Sequence, residues 1–380
     1  MEASVVVAGH VCIDIIPEIG RDFELLPGRL VEIGTAVTAT GGAVSNTGVA
    51  LHLLGIPATL MGKVGADSFG RGIIEIFEGY DQRLGAGMNV VAGETSSYTI
   101  VLSVPGVDRM FLHCPGANNT FTDDDIDYEK VASAALFHYG YPTLMTGMFE
   151  NGGASLIRMM QRVKAAGVAT SMDLTVPDPS SPGGQVDWKS VLHGLKGSLD
   201  VFMPSADELM YMIDRDKFGR GDELTGGEVT IAGQQLLDLD VAIAGLKLGS
   251  RGLYIRTAAK DRLARIPDAC TGDLDDWADR ELWFPVFEVD DFVTATGAGD
   301  TTIAGFVAAM LRGFSIHDAG RTACMVGAFN VRGADALSGL KGWDETLAAR
   351  DSTAHVPLTV TGDGWSEGRN GVWHGPNDCS

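Results

Sequence analysis

The chain has 380 residues, of which 45% are hydrophobic and 21% are charged, a balance typical of folded globular proteins that excludes a wholly disordered chain. With 28 basic and 50 acidic residues, the formal net charge is −22 and the pI is near 4.6, so most of the surface repels a phosphate backbone. We therefore expect no nucleic-acid partner.

The amino-terminal segment MEASVVVAGHVCIDII lacks a basic leader, and polar or glycine positions interrupt every later apolar stretch well short of about 20 residues. We expect neither export nor a membrane span, and hence a cytoplasmic location. The cysteines are odd in number and lack CxxC spacing, which predicts buried thiols rather than a disulfide framework or a zinc site. They are Cys12, Cys114, Cys270, Cys324 and Cys379.

Short β-rich runs alternate with helical patterns, which predicts an α/β fold with a parallel sheet covered by helices on both faces. The predicted strands cover residues 5–8, 136–139, 169–174, 201–203 and 241–248. Leu156, Met159, Met160 and Val163 form one apolar helical stripe, which Gly167 ends. Ligands of such folds bind at strand ends, so functional residues are expected there.

One region breaks the alternation and predicts a small antiparallel sheet, or lid, from residues of about 13–38 and 94–114. Apolar side chains occupy alternate positions at Tyr98, Ile100, Leu102 and Val104, and residues 109–114 offer a partner strand after the turn VPGVD. A second lid packed across this apolar row would bury it in a homodimer. Alternatively, the row caps the chain's own site.

Two later segments lack the alternation of β-rich runs and helical patterns. Residues 258–280 are polar and carry the acidic run DLDDWAD, which predicts a surface insertion. The chain after residue 339 has no periodicity, which predicts a coiled tail. The interpretation is a main domain over residues 1–340 and a carboxyl-terminal extension over residues 341–380.

The sharpest motif is TATGAGDTTIAGF at residues 294–306, where a glycine-rich turn runs directly into a helix. Glycines at 297 and 299 allow backbone amides to converge at a helix amino terminus, which favours an anion such as a phosphoryl group. Asp300 would then lie beside that anion, where a carboxylate can accept the proton of an attacking hydroxyl. Alternatively, Asp300 only complements the helix dipole.

This motif resembles the carboxyl-terminal signature of the ribokinase-like carbohydrate kinases, the PfkB family. The amino-terminal signature is also present, because Gly41 and Gly42 open AVSNTGVALHLLG and TLMGKVGADSFG follows at residues 59–70. The resemblance covers about residues 3–340. It implies a ribokinase-like fold in which a sugar binds between the α/β domain and the β lid, and phosphate moves from ATP, with Mg²⁺, to a sugar hydroxyl.

The resemblance implies that Asp300 is the general base and that the amides of Gly297, Ala298 and Gly299 form the anion hole for the migrating phosphate. Such catalysis consists mostly of placement and charge neutralisation.

Sugar binding is implied for Asp14, Gly41, Gly42 and Asn46, which match the family's residues around that ligand. From the residues alone, Asp14 could be an exposed loop acid and Asn46 a helix-start hydrogen-bonding group. Arg109, in the predicted lid, could contact an anionic substituent or be a solvated turn charge.

The segment KLGSRG at residues 247–252 matches the strand and turn over which the family binds the nucleotide, with Gly249 and Gly252 allowing close backbone approach. Lys247 could reach phosphate or be a strand-end lysine. Ser205 and Glu208 match the segment that organises Mg²⁺ and phosphate, Ser205 standing where the family has Asn. The same two residues also match the sequence of a helix capping box, S-x-x-E.

A second departure concerns a monovalent cation. Thr294 replaces the leading Asp of the signature, which in several members helps to hold that ion, so we expect weak potassium dependence. Either the anion hole is preformed, or Asp290 or Asp291 compensates. Two alternatives to a sugar kinase stay open at this point, namely a nucleoside kinase of the same fold and a non-catalytic sugar-binding or regulatory protein.

Overall fold

A computed structural model describes residues 3–21, 26–104, 109–267 and 272–379, and its strands form two sheets. The strands are β1 (Val5–Gly9), β2 (Cys12–Pro17), β3 (Ala36–Gly41), β4 (Ala58–Gly65), β5 (Met88–Val91), β6 (Tyr98–Leu102), β7 (Met110–Cys114), β8 (Leu136–Gly140), β9 (Ala169–Asp173), β10 (Val201–Phe202), β11 (Ile243–Lys247), β12 (Leu253–Thr257), β13 (Glu281–Phe284), β14 (Ser366–Glu367) and β15 (Trp373–His374).

The larger sheet joins eleven of the described strands in the order β14-β15-β13-β12-β11-β10-β9-β8-β1-β4-β5. From β11 to β5 every neighbouring pair is parallel, whereas β11 to β14 pair antiparallel. The predicted mostly parallel sheet is confirmed. Because parallel strands share one direction, the ends of β8, β9 and β11 lie along the same edge.

Helices cover both faces of this sheet. They are α1 (Ala43–Leu53), α2 (Ser68–Tyr80), α3 (Tyr128–Ala132), α4 (Thr146–Ala165), α5 (Trp188–Gly194), α6 (Ala206–Ile213), α7 (Gly226–Asp238), α8 (Lys260–Leu263), α9 (Leu274–Trp277), α10 (Ala298–Leu311), α11 (Ile316–Asn330) and α12 (Trp343–Ser352). Among the described residues, none of the helices is both long enough and apolar enough to cross a bilayer.

The alternation of side chains along β1 explains why the sheet needs two helical layers. Val5 and Val7 join the core that contains α1, α10 and α11, whereas Val6 and Ala8 join the core that contains α4 and α7. A strand buried on both faces has a continuous apolar sequence, as VVVAG does. The predicted stripe on α4 is also confirmed, because all four of its side chains are fully buried.

The smaller sheet has the order β3-β2-β6-β7 and forms the lid. The predicted antiparallel pair is confirmed by the register Tyr98↔Cys114 to Leu102↔Met110, while residues 105–108 of its turn lie outside the described residues. The apolar row on β6 is half-buried, because Tyr98 and Ile100 are partly exposed, Leu102 is 8% exposed and Tyr98 packs on Phe69. The more strongly exposed apolar side chains lie on β3 and β7.

Both late segments differ from their predictions. The chain after residue 339 is not a coil, because it forms α12 and adds β15 and β14 to the antiparallel edge of the main sheet, with Val372 fully buried. In the predicted surface insertion, Asp273 and Asp275 are exposed, but Leu263 and Trp277 are fully buried in the core. A two-residue strand and a single buried Trp leave no periodic pattern in the sequence.

Candidate active site

The glycine-rich turn leads into α10 as predicted, and Gly297 caps the helix with φ of 77°. A side chain there would be strained, and its Cβ would lie 2.5 Å from the Cβ of Ala336. Among the described residues, the amides of Gly297, Gly299 and Asp300 have no hydrogen-bond partner, whereas the Ala298 amide donates to the Ala295 carbonyl at 3.1 Å. The free donors are therefore at 297, 299 and 300, not at 297–299.

Asp300 is buried in the first turn of α10, with 2% of its surface exposed. Its Oδ2 accepts hydrogen bonds from Asn46 Nδ2 at 2.9 Å and from the Tyr141 hydroxyl at 2.7 Å. The buried Oδ1 has no partner among the described residues. Burial raises the pKa of Asp300, an effect opposed by Lys247 and by the two donors. One oxygen is thus held in place while the other stays available to a proton donor.

Asn46 contacts the predicted base directly. Its amide nitrogen donates to Asp300, while its Oδ1 is buried without a partner among the described residues. The first-turn position in α1 follows Gly42, whose φ of 86° is one that glycine favours. Asn46 is therefore more than a local helix-start group, and its free oxygen can still accept a hydrogen bond from a ligand.

The sequence analysis did not find Tyr141. This residue follows β8 at the carboxyl edge of the sheet and adopts a left-handed conformation with φ of 64°. Burial, together with the nearby Asp300, raises the pKa of Tyr141 far above its ordinary value, so the phenol stays protonated and donates to that carboxylate. Its place two residues after the predicted strand 136–139 was the one available signal.

A buried ion pair lies on the other side of Asp300. The Lys247 Nζ, at the end of β11, is 2.6 Å from Asp173 Oδ1 and 3.8 Å from Glu208 Oε2. Burial alone would lower the pKa of Lys247, but the carboxylates of Asp173, Glu208 and Asp300 raise it, so the ammonium stays charged. Asp173, at the end of β9, is a further site residue that the sequence analysis missed.

Lys247 also lies against the anion-binding turn, because a Cβ added to Gly299 would be 3.1 Å from Nζ. The lysine is therefore not a solvated strand-end charge. It places a positive charge beside the free amides, where phosphate oxygens would be neutralised.

Ser205 and Glu208 form the predicted capping box at the start of α6. The Ser205 amide donates to Glu208 Oε2 at 2.6 Å, and the Glu208 amide donates to Ser205 Oγ at 3.2 Å. Among the described residues, no cluster of three or more His, Cys, Asp or Glu could hold a metal ion.

Asp14 and the glycine pair meet at the base of the lid. Asp14 projects from β2 so close to Gly41 on β3 that a Cβ at position 41 would overlap its carboxylate. A Cβ on Gly42 would lie 2.5 Å from His10 Nδ1. Burial raises the pKa of Asp14, and nearby Arg109 opposes this, so Asp14 is a partly buried group rather than an exposed loop acid.

Arg109 joins the lid to the catalytic turn. It directly precedes β7, and its Nη1 donates to Thr296 Oγ1 at 2.5 Å. The side chain also acts electrostatically on Asp14. The structure therefore brings Arg109 to the site instead of leaving it as a solvated turn charge.

Two histidines lie close together at the lid. His10 Nε2 and His113 Nε2 are 3.3 Å apart, and His113 Nδ1 also hydrogen-bonds with Thr99 Oγ1 at 3.0 Å. Burial lowers the pKa of both rings, which keeps them neutral. His10 Nδ1 is buried without a partner among the described residues. The nearby Asn118 is occupied instead with the backbone of Val11.

A cavity of about 550 Å³ opens on the far side of the same turn. Lys247, Gly249, Gly252 and Gly299 line it, so the predicted nucleotide segment and the anion-binding turn share one cavity. The rest of its wall is mostly apolar and includes Val286, Phe287, Val289, Phe292, Val331 and Val356.

Thr294 stabilises the turn where the family has an Asp. Its hydroxyl accepts a hydrogen bond from the Thr296 amide at 3.0 Å, and the residue is 5% exposed. Asp290 and Asp291 are both exposed, and Asp291 pairs with Arg332 at 3.0 Å. These contacts favour a preformed turn over a compensating carboxylate.

Comparison with known proteins identifies the family of this chain. The family model described as pfkB family carbohydrate kinase matches residues 2–341. Fructokinase-2 of Zea mays is 27% identical over 318 residues, which are 82% of this chain and 81% of that protein. Probable fructokinase-4 of Arabidopsis thaliana is 28% identical over 220 residues, which are 57% of this chain and only 64% of that protein.

Among solved structures, fructokinase of Xylella fastidiosa with bound ATP superposes with a TM-score of 0.70 at 19% identity. The superposition covers 92% of this chain and 98% of that protein. At this identity the likeness shows the fold alone, and the fold is ribokinase-like.

Proposed function

This chain belongs to the pfkB family of carbohydrate kinases, and from that premise we propose that it transfers the γ-phosphate of ATP to a hydroxyl of a free sugar, with fructose as the first substrate to test. Members of the family transfer phosphate from ATP to sugar hydroxyls. The observation that carries the proposal is the buried Asp300 carboxylate, with one oxygen held and one free, in the same helical turn as unpaired amides.

Asp300 acts as the general base in this proposal. Asn46 and Tyr141 hold Oδ2, so the free Oδ1 accepts the proton of the attacking hydroxyl. Burial raises the pKa of Asp300, which makes its carboxylate a better proton acceptor than a solvated aspartate while it remains ionised.

The migrating phosphoryl group is stabilised by groups that are already in place. The free amides of Gly297, Gly299 and Asp300 and the dipole of α10 favour negative charge, and Lys247 adds a full positive charge beside them. Donors that do not have to reorganise when the charge moves are the largest contribution in many phosphoryl transfers.

Mg²⁺ bound to ATP would neutralise charge on the transferring phosphate. Glu208 and Asp173 are the carboxylates near Lys247 that would hold it, together with water and the phosphates. Potassium dependence is expected to be weak, because Thr294 already braces the turn. A strong loss of rate when potassium is replaced by a bulky organic cation would refute that expectation.

The sugar lies under the lid in this proposal. Asp14, Gly41 and Gly42 stand at the base of the lid, and His10 and His113 offer further hydrogen-bonding groups. The Arg109 contact with Thr296 ties the lid to the catalytic turn, so a bound sugar would be shielded from water when this contact forms.

Homodimerisation through the lid is a second part of the proposal. The exposed fractions are 59% for Val37 on β3 and 54% and 55% for Phe111 and Leu112 on β7. Apolar exposure on a sheet of four strands is a liability that a second lid would remove. Sedimentation of the wild-type chain and of Phe111→Asp tests it, and a monomeric wild type would refute it.

A cytoplasmic location is a further part of the proposal, because the proposed reaction uses ATP as the phosphate donor.

The test of the main proposal is ADP release measured across pentoses, hexoses, keto-deoxy acids and nucleosides. Release with fructose, or with another free sugar, supports a sugar kinase. The relatives described above do not favour the two alternatives. Release with nucleosides only, or sugar-dependent thermal stabilisation without any ADP release, would overturn the proposal.

A further inference from the structure

The carboxyl-terminal extension lies close to the candidate active site. After α12 it lies beside the segment that follows β13, where the Val356 amide donates to the Val286 carbonyl and the Glu288 amide donates to the Ala354 carbonyl, both at 2.9 Å. The rings of His355 and Phe287 pack with centroids 4.4 Å apart. This pairing directs the extension along the wall of the nucleotide cavity.

Val356 is a member of that wall although it lies 15 positions beyond the last residue matched by the family, 341. The phosphate end of the cavity is marked by Lys247 and Gly299, which carry the positive charge and a free amide. Val356 belongs instead to the apolar group that includes Phe287 and Val331, which can contact a nucleobase but cannot bind phosphate.

The extension is anchored on both sides of Val356, so this wall is preorganised. Upstream, the Trp343 ring of α12 packs on Phe314. Downstream, Trp373 Nε1 donates to the Leu358 carbonyl at 3.2 Å, and the Gly226 amide donates to the Thr361 carbonyl at 2.7 Å. A side chain that is already ordered loses little freedom when the ligand binds.

We propose that the carboxyl-terminal extension completes the nucleobase end of the nucleotide cavity through Val356. The inference rests on the proposed function, because it takes the cavity to be the ATP site. It makes Val356 a determinant of nucleotide affinity that is separate from the sugar site, so its replacement changes binding of ATP and leaves binding of the sugar unchanged.

The experiment compares Val356→Asp with Thr359→Asp, which adds the same charge at an exposed position of the same segment outside the cavity wall. Binding of methylanthraniloyl-ATP with Mg²⁺ is measured by fluorescence without sugar. Val356→Asp should weaken binding about tenfold, whereas Thr359→Asp and the conservative Val356→Ile should stay within about twofold of wild type. Thermal unfolding checks that all three variants fold, which is expected because Val356 is 39% exposed.

Equal affinities of Val356→Asp and wild type would overturn the inference, as would an equal loss in both Asp variants. If the wild-type chain binds no nucleotide, the proposed function fails as well. If nucleotide binding follows the expected pattern but no sugar is phosphorylated, the inference stands and only the proposed sugar kinase reaction fails.

Discussion

The two sides of the first turn of α10 are built from opposite kinds of side chain. On the sugar side, Asp300, Asn46 and His10 each keep a buried polar atom without a partner among the described residues. On the nucleotide side, apolar groups such as Phe287 and Val331 dominate the wall. A buried unpaired polar atom costs about 1–3 kcal/mol, so a cluster of them is expected where a ligand supplies the missing partners. Under the proposed function, the side with unpaired polar atoms would select the sugar by hydrogen bonding, and the apolar side would select the nucleotide by shape.

Asp300→Asn removes the carboxylate of the proposed base and has the largest expected effect. The amide cannot accept the proton, so kcat should fall by about 10²–10⁴ while the KM for the sugar changes little. Steady-state kinetics with the best sugar measures both constants. Asp318→Asn is the matched control, because Asp318 is the corresponding first-turn acid of the neighbouring α11. Turnover at the wild-type rate in Asp300→Asn would contradict the role of the base.

Lys247→Met tests the positive charge of the buried Lys247–Asp173 ion pair. The change leaves Asp173, 1% exposed, without its cation, which should lower the free energy of unfolding by about 3–5 kcal/mol. Chemical denaturation measures this loss. The double variant Lys247→Met/Asp173→Asn should recover most of the stability but not the turnover. A single variant as stable as wild type would show that the ion pair is not a buried structural element.

Gly299→Ala distinguishes the effect of the anion-binding turn on kcat from the effect of the glycine on helix stability. The new Cβ would meet Lys247 Nζ at 3.1 Å and displace it, so kcat should fall about tenfold while the melting temperature is kept or rises slightly. Gly227→Ala is the control, because Gly227 is the second residue of α7 and has open space around it. An unchanged kcat in Gly299→Ala would place the phosphate elsewhere.

Tyr141→Phe gives the smallest but most specific effect. Burial raises the pKa of Asp300, and the Tyr141 hydrogen bond lowers it, so removing that bond should raise the pKa further. Turnover needs the ionised base, and the acid limb of the kcat profile should therefore move to higher pH. The measurement is kcat against pH. A limb that stays in place or moves to lower pH would contradict the contact.

Much of the architecture followed from periodicity. The central strands are continuous apolar runs because they are buried on both faces. The α4 stripe and the row on β6 instead have apolar repeats of period 3.6 and 2, because one face of each element is buried. The carboxyl-terminal extension could not be predicted from an apolar repeat. Its strands β14 and β15 are only two residues long, so they are formed by pairing at the sheet edge and not by an apolar repeat of their own.

The candidate site was predictable only in part. Asp300, Gly297 and Gly299 stand in one continuous motif, and their arrangement at a helix start is a local property of the chain. Tyr141 and Asp173 stand in no motif of their own. Their importance comes from strand ends that converge from distant parts of the sequence, 159 residues from Tyr141 to Asp300 and 74 from Asp173 to Lys247.

The sequence by itself determined the family, the parallel sheet and the turn that offers amides to an anion, because these depend on local spacing and on patterns repeated along the chain. Only the tertiary structure decided which of those amides are free, which oxygen of Asp300 is held, and that the extension reaches the cavity lined by Lys247 and Gly299. These facts depend on hydrogen bonds and packing between residues far apart in sequence, which no local pattern encodes.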